Sequence, residues 1–260
     1  MRYLFGFLCV CALGVMPLLG CSETAGDGGS GGSAGAGGDG GGGGTGETVQ
    51  LLMVIVENEN WHLGPALEGV EVCETDTTNC VTTGADGRAT LTLPANQAIS
   101  YTMAKDGYMT RLFADVTDET FNIRPFFTWP MFRDDEIEDL AASVMIPYPL
   151  TEGWIAMQAF NTGSQDPFHT QGVTHELVDG TATQYYTDES GQPTLGLSAT
   201  TSTGQGGFFE VTPGEHQVEF GGTVTNCQTS IAWPGDAPNR VKVPVRVGVL
   251  TFADVICDLL

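Results

Sequence analysis

The strongest constraint on what this chain can fold into is a grammar of short alternating runs, each cut off by Gly, Asp or Pro. Residues 69–74 (GVEVCE) alternate in polarity, as do 88–93 (RATLTL), just after Asp86-Gly87, and 99–105 (ISYTMAK), just before Asp106-Gly107. A period of two places every second side chain on one face of a strand, and Asp-Gly is the dipeptide that closes tight hairpins. Residues 48–57 (TVQLLMVIVE) are apolar almost throughout, which predicts a strand covered on both sides. Short strands at this spacing predict an all-β, antiparallel sandwich of the transthyretin-like or Ig-like kind.

The second half repeats the grammar. Gly172-Val173 opens a strand as Gly69-Val70 does, and the turn Thr187-Asp188-Glu189-Ser190-Gly191 matches Thr83-Gly84-Ala85-Asp86-Gly87. Val211-Thr212-Pro213 then stands where Leu93-Pro94-Ala95 stood, and a further alternating run, 215–220, follows. An extra Ser/Thr/Gly segment, 197–207, distinguishes the second copy. Two tandem sandwiches are expected, at 47–124 and 151–260. Between them, 125–150 is expected to hold an aromatic-rich linker and a short helix, with acids Asp134, Asp135 and Glu136 in its first turn.

The set Gly69-Val70-x-Val72, Thr83-x-x-Asp86-Gly87-x-Ala89-x-Leu91, Leu93-Pro94-Ala95 and Lys105-Asp106-Gly107-Tyr108 resembles the carboxypeptidase regulatory-like domain, a transthyretin-like sandwich. The resemblance covers about 49–116, and a degraded form covers 153–257. It implies an accessory module of the kind appended to peptidases, transporters and surface proteins, without catalytic residues of its own.

The N-terminal segment predicts a location. Arg2 precedes an apolar stretch, 3–19, of the length and charge of an export signal, ending Leu18-Leu19-Gly20-Cys21. This ending resembles the lipobox of bacterial lipoproteins, which implies removal of 1–20 and lipidation of Cys21 as the mature N-terminus. Ser22, in place of the aspartate associated with inner-membrane retention, implies an outer-membrane destination. Residues 21–46 are then a leash. Their Gly, Ser, Ala, Asp and Thr cannot bury enough apolar area to offset the entropy of ordering, and about 25 such residues reach roughly 25–30 Å. The G-x-S-x-G and G-x-G-x-x-G patterns inside the leash lack the flanking strand and helix those motifs require.

Loss of Arg2 leaves 8 basic against 32 acidic side chains, a net charge of −24. Such a field repels phosphate backbones, so a nucleic-acid partner is not expected. Of seven cysteines, Cys9 and Cys11 leave with the signal and Cys21 carries the lipid. Cys73, Cys80, Cys227 and Cys257 remain, and an even number in an exported chain predicts two disulfides with three possible connectivities. Pairing within each repeat, Cys73 with Cys80 and Cys227 with Cys257, is favoured. A zinc site lacks the paired C-x-x-C spacing.

No residue pattern supports catalysis, and the chain is not expected to be an enzyme. His175-Glu176 lacks the second histidine of H-E-x-x-H, and Ser198 lacks an elbow glycine after it. The carboxylates Glu57, Glu59, Asp115 and Asp118 suit Ca²⁺ by ligand type, though solvated loop acids account for the same cluster without an ion. No other cofactor is expected. Trp61, Phe126, Phe127 and Trp129 are the candidate binding aromatics; if buried, the linker rings instead cement the two domains. The function expected is a lipid-anchored, non-catalytic envelope module that binds or scaffolds a protein or polysaccharide. The competing readings are a secreted hydrolase at the domain junction, involving His169 or His175, and a Ca²⁺-stabilised adhesion module.

Overall fold

A computed structural model describes residues 46–59, 62–118, 127–161 and 170–260 of the chain. The first half contributes β1 (Thr48–Glu59), β2 (His62–Ala66), β3 (Glu71–Glu74), β4 (Cys80–Thr82), β5 (Arg88–Pro94), β6 (Ala98–Lys105) and β7 (Tyr108–Val116). Next come β8 (Phe127–Met131) and the helix α1 (Asp134–Ser143). The second half contributes β9 (Gly153–Asn161), β10 (Val173–Leu177), β11 (Thr183–Thr187), β12 (Pro193–Thr194) and β13 (Gln205–Val211). It ends with β14 (Gly214–Gly222), β15 (Val224–Ile231), β16 (Trp233–Pro234), β17 (Arg240–Val245) and β18 (Leu250–Leu259). Among the described residues the fold is all-β with one helix, as the alternation predicts.

The two halves share one long sheet, ordered β12-β11-β13-β9-β18-β7-β6-β3-β4, with β15 beside the far end of β18. The joining strand is β18, which runs parallel to β9 along its length and parallel to β7 over Leu250–Phe252 against Arg111–Phe113. A small sheet of β2, β1, β5 and β8 packs over the first half of the long sheet, and a second, β10-β14-β17-β16, over the other half.

Side-chain parity puts these two covers on opposite faces of the long sheet. Along β18, Ala253, Val255 and Cys257 enter the second-half core with Val218, Val241 and Val243. Leu250 and Phe252 point the other way, the face on which Arg111 and Phe113 of β7 meet the first-half core. Helix α1 fills the rest of that face. Its apolar residues Ile137, Leu140 and Ala141 lie against Met109, Trp154, Tyr185 and Phe209. Trp154 and Phe209 have ring centroids 4.7 Å apart, Tyr185 and Phe209 4.4 Å, and the Trp154 indole N–H donates to Tyr185 Oη at 2.9 Å.

Two expectations are corrected. The run 48–57 is covered on both sides only toward its end: Val49, Leu51, Met53, Ile55 and Val56 are buried, while Gln50 is exposed and Leu52 and Val54 are half-buried. Part of the expected aromatic linker is a strand, because β8 pairs in parallel with β1, Met53 to Glu57 against Phe127 to Met131. Beyond it Met109 N donates to Phe132 O at 2.9 Å, which closes the first sandwich along this side. The Asp86-Gly87 turn is set by close backbone approach. Gly87 has φ +71°, and a Cβ there would lie 2.4 Å from the Ile55 carbonyl oxygen.

Candidate functional site

The densest concentration of unusual chemistry lies where β7, β8 and β18 meet. Arg111, on the inward face of β7 between Met109 and Phe113, is 1% exposed. Its guanidinium lies 3.9 Å from the ring centroid of Phe252, 4.8 Å from Phe113, 5.6 Å from Phe132 and 5.9 Å from Trp129. A flat, weakly hydrated cation tolerates such a box, since aromatic faces offer negative potential in place of water. Arg111 Nη1 donates to the Pro130 carbonyl of β8, and Nε has no hydrogen-bond partner.

The carboxylate that acts on this cation is Asp254, half-buried on β18, two residues beyond Phe252 and on the same face. Desolvation raises the Asp254 pKa to about 7, with Arg111 pulling it back only in part. Desolvation likewise lowers Arg111 to about 9, against the opposing pull of Asp254. The aromatic box is therefore filled by the chain's own cation, with Phe252 of the second half among its walls.

The carboxylates proposed as Ca²⁺ ligands lie apart. Glu57 is engaged by Arg133 at 3.4 Å, and Arg133 also meets Asp135 at 3.3 Å and Glu136 at 3.9 Å. Tyr108, at the start of β7, has its pKa raised by burial first and by neighbouring Glu57 second. Asp115 is seven residues further along β7, roughly 23 Å at about 3.3 Å per residue. There its carboxylate accepts from the Val116 amide at 2.7 Å. Asp118 is exposed just past the strand. Among the described residues, Glu57, Asp115 and Asp118 do not converge. The Glu59 side chain lies outside the described residues.

Of the candidate aromatics, Trp129 is half-buried, its ring 4.5 Å from Phe113, so it belongs to the first-half core. Trp61, Phe126, the Phe127 side chain, Cys21, the leash and His169 lie outside the described residues. His175 is 3% exposed, between Tyr186 at 4.3 Å and Phe208 at 5.1 Å. Burial lowers its pKa to about 4, so it is neutral at physiological pH and sealed from any substrate. His216 turns both ring nitrogens to carbonyls, Asp179 O at 2.9 Å and Thr212 O at 2.7 Å. Ser198 is exposed.

Both favoured disulfides are present, Cys73–Cys80 and Cys227–Cys257. They differ in setting. Cys73 and Cys80 face each other across the β3–β4 hairpin with Cys80 exposed, whereas Cys227 and Cys257 lie inside the second-half core.

Sequence reasoning did not single out Arg111 or Asp254. The available signal was a charge placed mid-strand among apolar neighbours, Arg111 in YMTRLFADV and Asp254 in LTFADVICDL. Among the described residues, no helix is long and apolar enough to cross a membrane.

No protein-family model matches the chain, and no curated protein matches it. Solved structures give distant similarities. The minor pilin GBS52 of Streptococcus agalactiae is 12% identical at a TM-score of 0.27, over 82% of this chain and 96% of that one. The major pilin T-13 of Streptococcus pyogenes is 9% identical at 0.24, over 83% and 97%. The shaft pilin spaA of Lactobacillus rhamnosus GG is 10% identical at 0.23, over 83% and 99%. At these TM-scores none of the three lends this chain a function, and the all-β assignment rests on its own strands.

Proposed function

We propose that this chain is a lipid-anchored, non-catalytic protein of the bacterial envelope, held at the outer membrane through Cys21, whose β unit binds or scaffolds a protein or polysaccharide. The observation that carries the reading is the combination of a lipobox-like segment and Gly-rich leash with a body built for rigidity. Two cores lie on opposite faces of one sheet, with a disulfide in each half. A leash followed by a stiff unit holds a surface at a set reach from a membrane. Glu57 paired with Arg133 and a neutral, enclosed His175 favour a structural unit over the hydrolase and Ca²⁺ readings.

The test has two arms. A clickable fatty-acid label is expected to mark the wild-type chain in membranes and to be lost in C21A, which should leave the membrane fraction. Cross-linking in the native envelope is expected to capture one reproducible partner through one face of the β unit. An unlabelled wild type, or turnover of a peptide or glycan by the purified protein, would overturn the reading.

A further inference from the structure

The two disulfides are not equivalent, and the difference points to chemistry. Glu71 and Cys73 alternate onto the same face of β3, and Cys80 pairs directly with Cys73 from β4. A Glu71 carboxylate oxygen and the two sulfurs all lie within 4.8 Å of one another. Glu71 and Cys80 are exposed and Cys73 is half-buried, so the cluster opens to solvent. Cys227 and Cys257, at 8% and 0% exposure, are enclosed by apolar side chains.

We propose that the β3–β4 hairpin is a redox-gated site for a soft divalent cation such as zinc, with Cys73 Sγ, Cys80 Sγ and Glu71 as protein ligands and water as the fourth. In the oxidised chain the sulfurs are bonded to each other and the site is closed. A dithiol reductant opens it by exchange: the reductant's two thiols become a disulfide, and Cys73 and Cys80 each gain one electron and one proton. The cation then displaces both thiol protons, since the thiolate is the ligand.

Three features fit this occupant. Tetrahedral zinc with bonds of about 2.3 Å to sulfur and about 2.0 Å to oxygen needs ligand atoms roughly 3.5–3.8 Å apart, a spacing the two sulfurs can take only once the bond between them is opened, with the Glu71 carboxylate already within 4.8 Å of both. The hairpin is held by contacts that survive reduction: Glu74 N donates to Asn79 O at 2.9 Å, and Asn79 Nδ2 donates to Thr92 O at 2.7 Å and to Glu74 Oε2 at 3.0 Å. β3 also pairs with β6 on its other side, Cys73 opposite Thr102. The two thiolates therefore remain neighbours after the bond breaks.

The experiment uses the full-length chain in detergent, reduced with a dithiol, with alkylation mapping to identify the bridge that has opened. Co²⁺ serves as the probe, because thiolate ligation gives a near-ultraviolet charge-transfer band. The expected result is that Cys73–Cys80 opens first and the reduced chain binds one Co²⁺ with that band, which zinc displaces. The oxidised chain shows no band, E71Q binds at least about tenfold more weakly, and C80S loses the two-thiolate signature. C73S/C80S, checked for an unchanged circular dichroism spectrum, shows that the fold survives without the bridge. Reduction that opens Cys227–Cys257 first, absence of the band in the reduced chain, or E71Q binding as tightly as wild type would each overturn the proposal.

Discussion

Replacing Asp254 by Asn should change the pH dependence of stability in a way that isolates the charge at the seam. Asp254 is raised from 3.8 to about 7, so the folded chain holds a proton that the unfolded chain releases. Its contribution is fully present below pH 3.8 and is lost as pH rises through 7. Integrated between pH 5 and 8, the loss is at most about 2.5 kcal/mol. His175 works in the opposite sense. Lowered from 6.5 to about 4, it contributes stability that is present above pH 6.5 and lost as pH falls, about 2 kcal/mol by pH 5.

The two nearly cancel, so the wild-type stability is expected to be almost flat between pH 5 and 8. D254N removes one of them and should gain about 2 kcal/mol over the same interval, or roughly 4–8 °C in Tm for a unit of this size. Arg111, lowered to about 9, stays charged throughout. Asp188 and Asp236 are lowered below 3.8 and have finished titrating. Urea unfolding of both proteins at several pH values provides the difference curve. A wild-type minus D254N difference that stays constant from pH 5 to 8 would refute the assignment of the seam carboxyl.

Three other outcomes follow from the packing. Removing the core bridge as C227A/C257A should cost more than removing the hairpin bridge as C73A/C80A, about 3.7 against about 2.4 kcal/mol from loop closure over separations of 30 and 7, read by denaturant midpoint. Y185F leaves the Trp154 indole N–H without its acceptor inside the helix-covered core and should cost about 1–2 kcal/mol, with a shift in tryptophan emission. G87A places a Cβ against the Ile55 carbonyl at positive φ and should cost about 1–3 kcal/mol, seen as a lower Tm.

What could be read in the sequence was local. Alternation in RATLTL and ISYTMAK places β5 and β6, the acidic first turn places α1, and cysteine spacing within each repeat matches the bridges found. What escaped was non-local. Nothing near Leu250 indicates that it pairs with Arg111, because a parallel ladder carries no turn between its strands. The aromatic run read as a linker because Pro130 argues against an interior strand, yet its carbonyl is used by Arg111 from the neighbouring element. Glu57 read as a metal ligand because its partner Arg133 is distant in sequence and joins it only once β8 has paired with β1.

The position of β18 has a consequence for how the chain is made. The strand between β9 and β7 is the last of the described strands to be synthesised, and its Ala253, Val255 and Cys257 complete the second-half core while Leu250 completes the layer under α1. Neither can close before residues 250–259 have been made, so the second-half core and the layer under α1 assemble only once β18 has entered the sheet between β9 and β7.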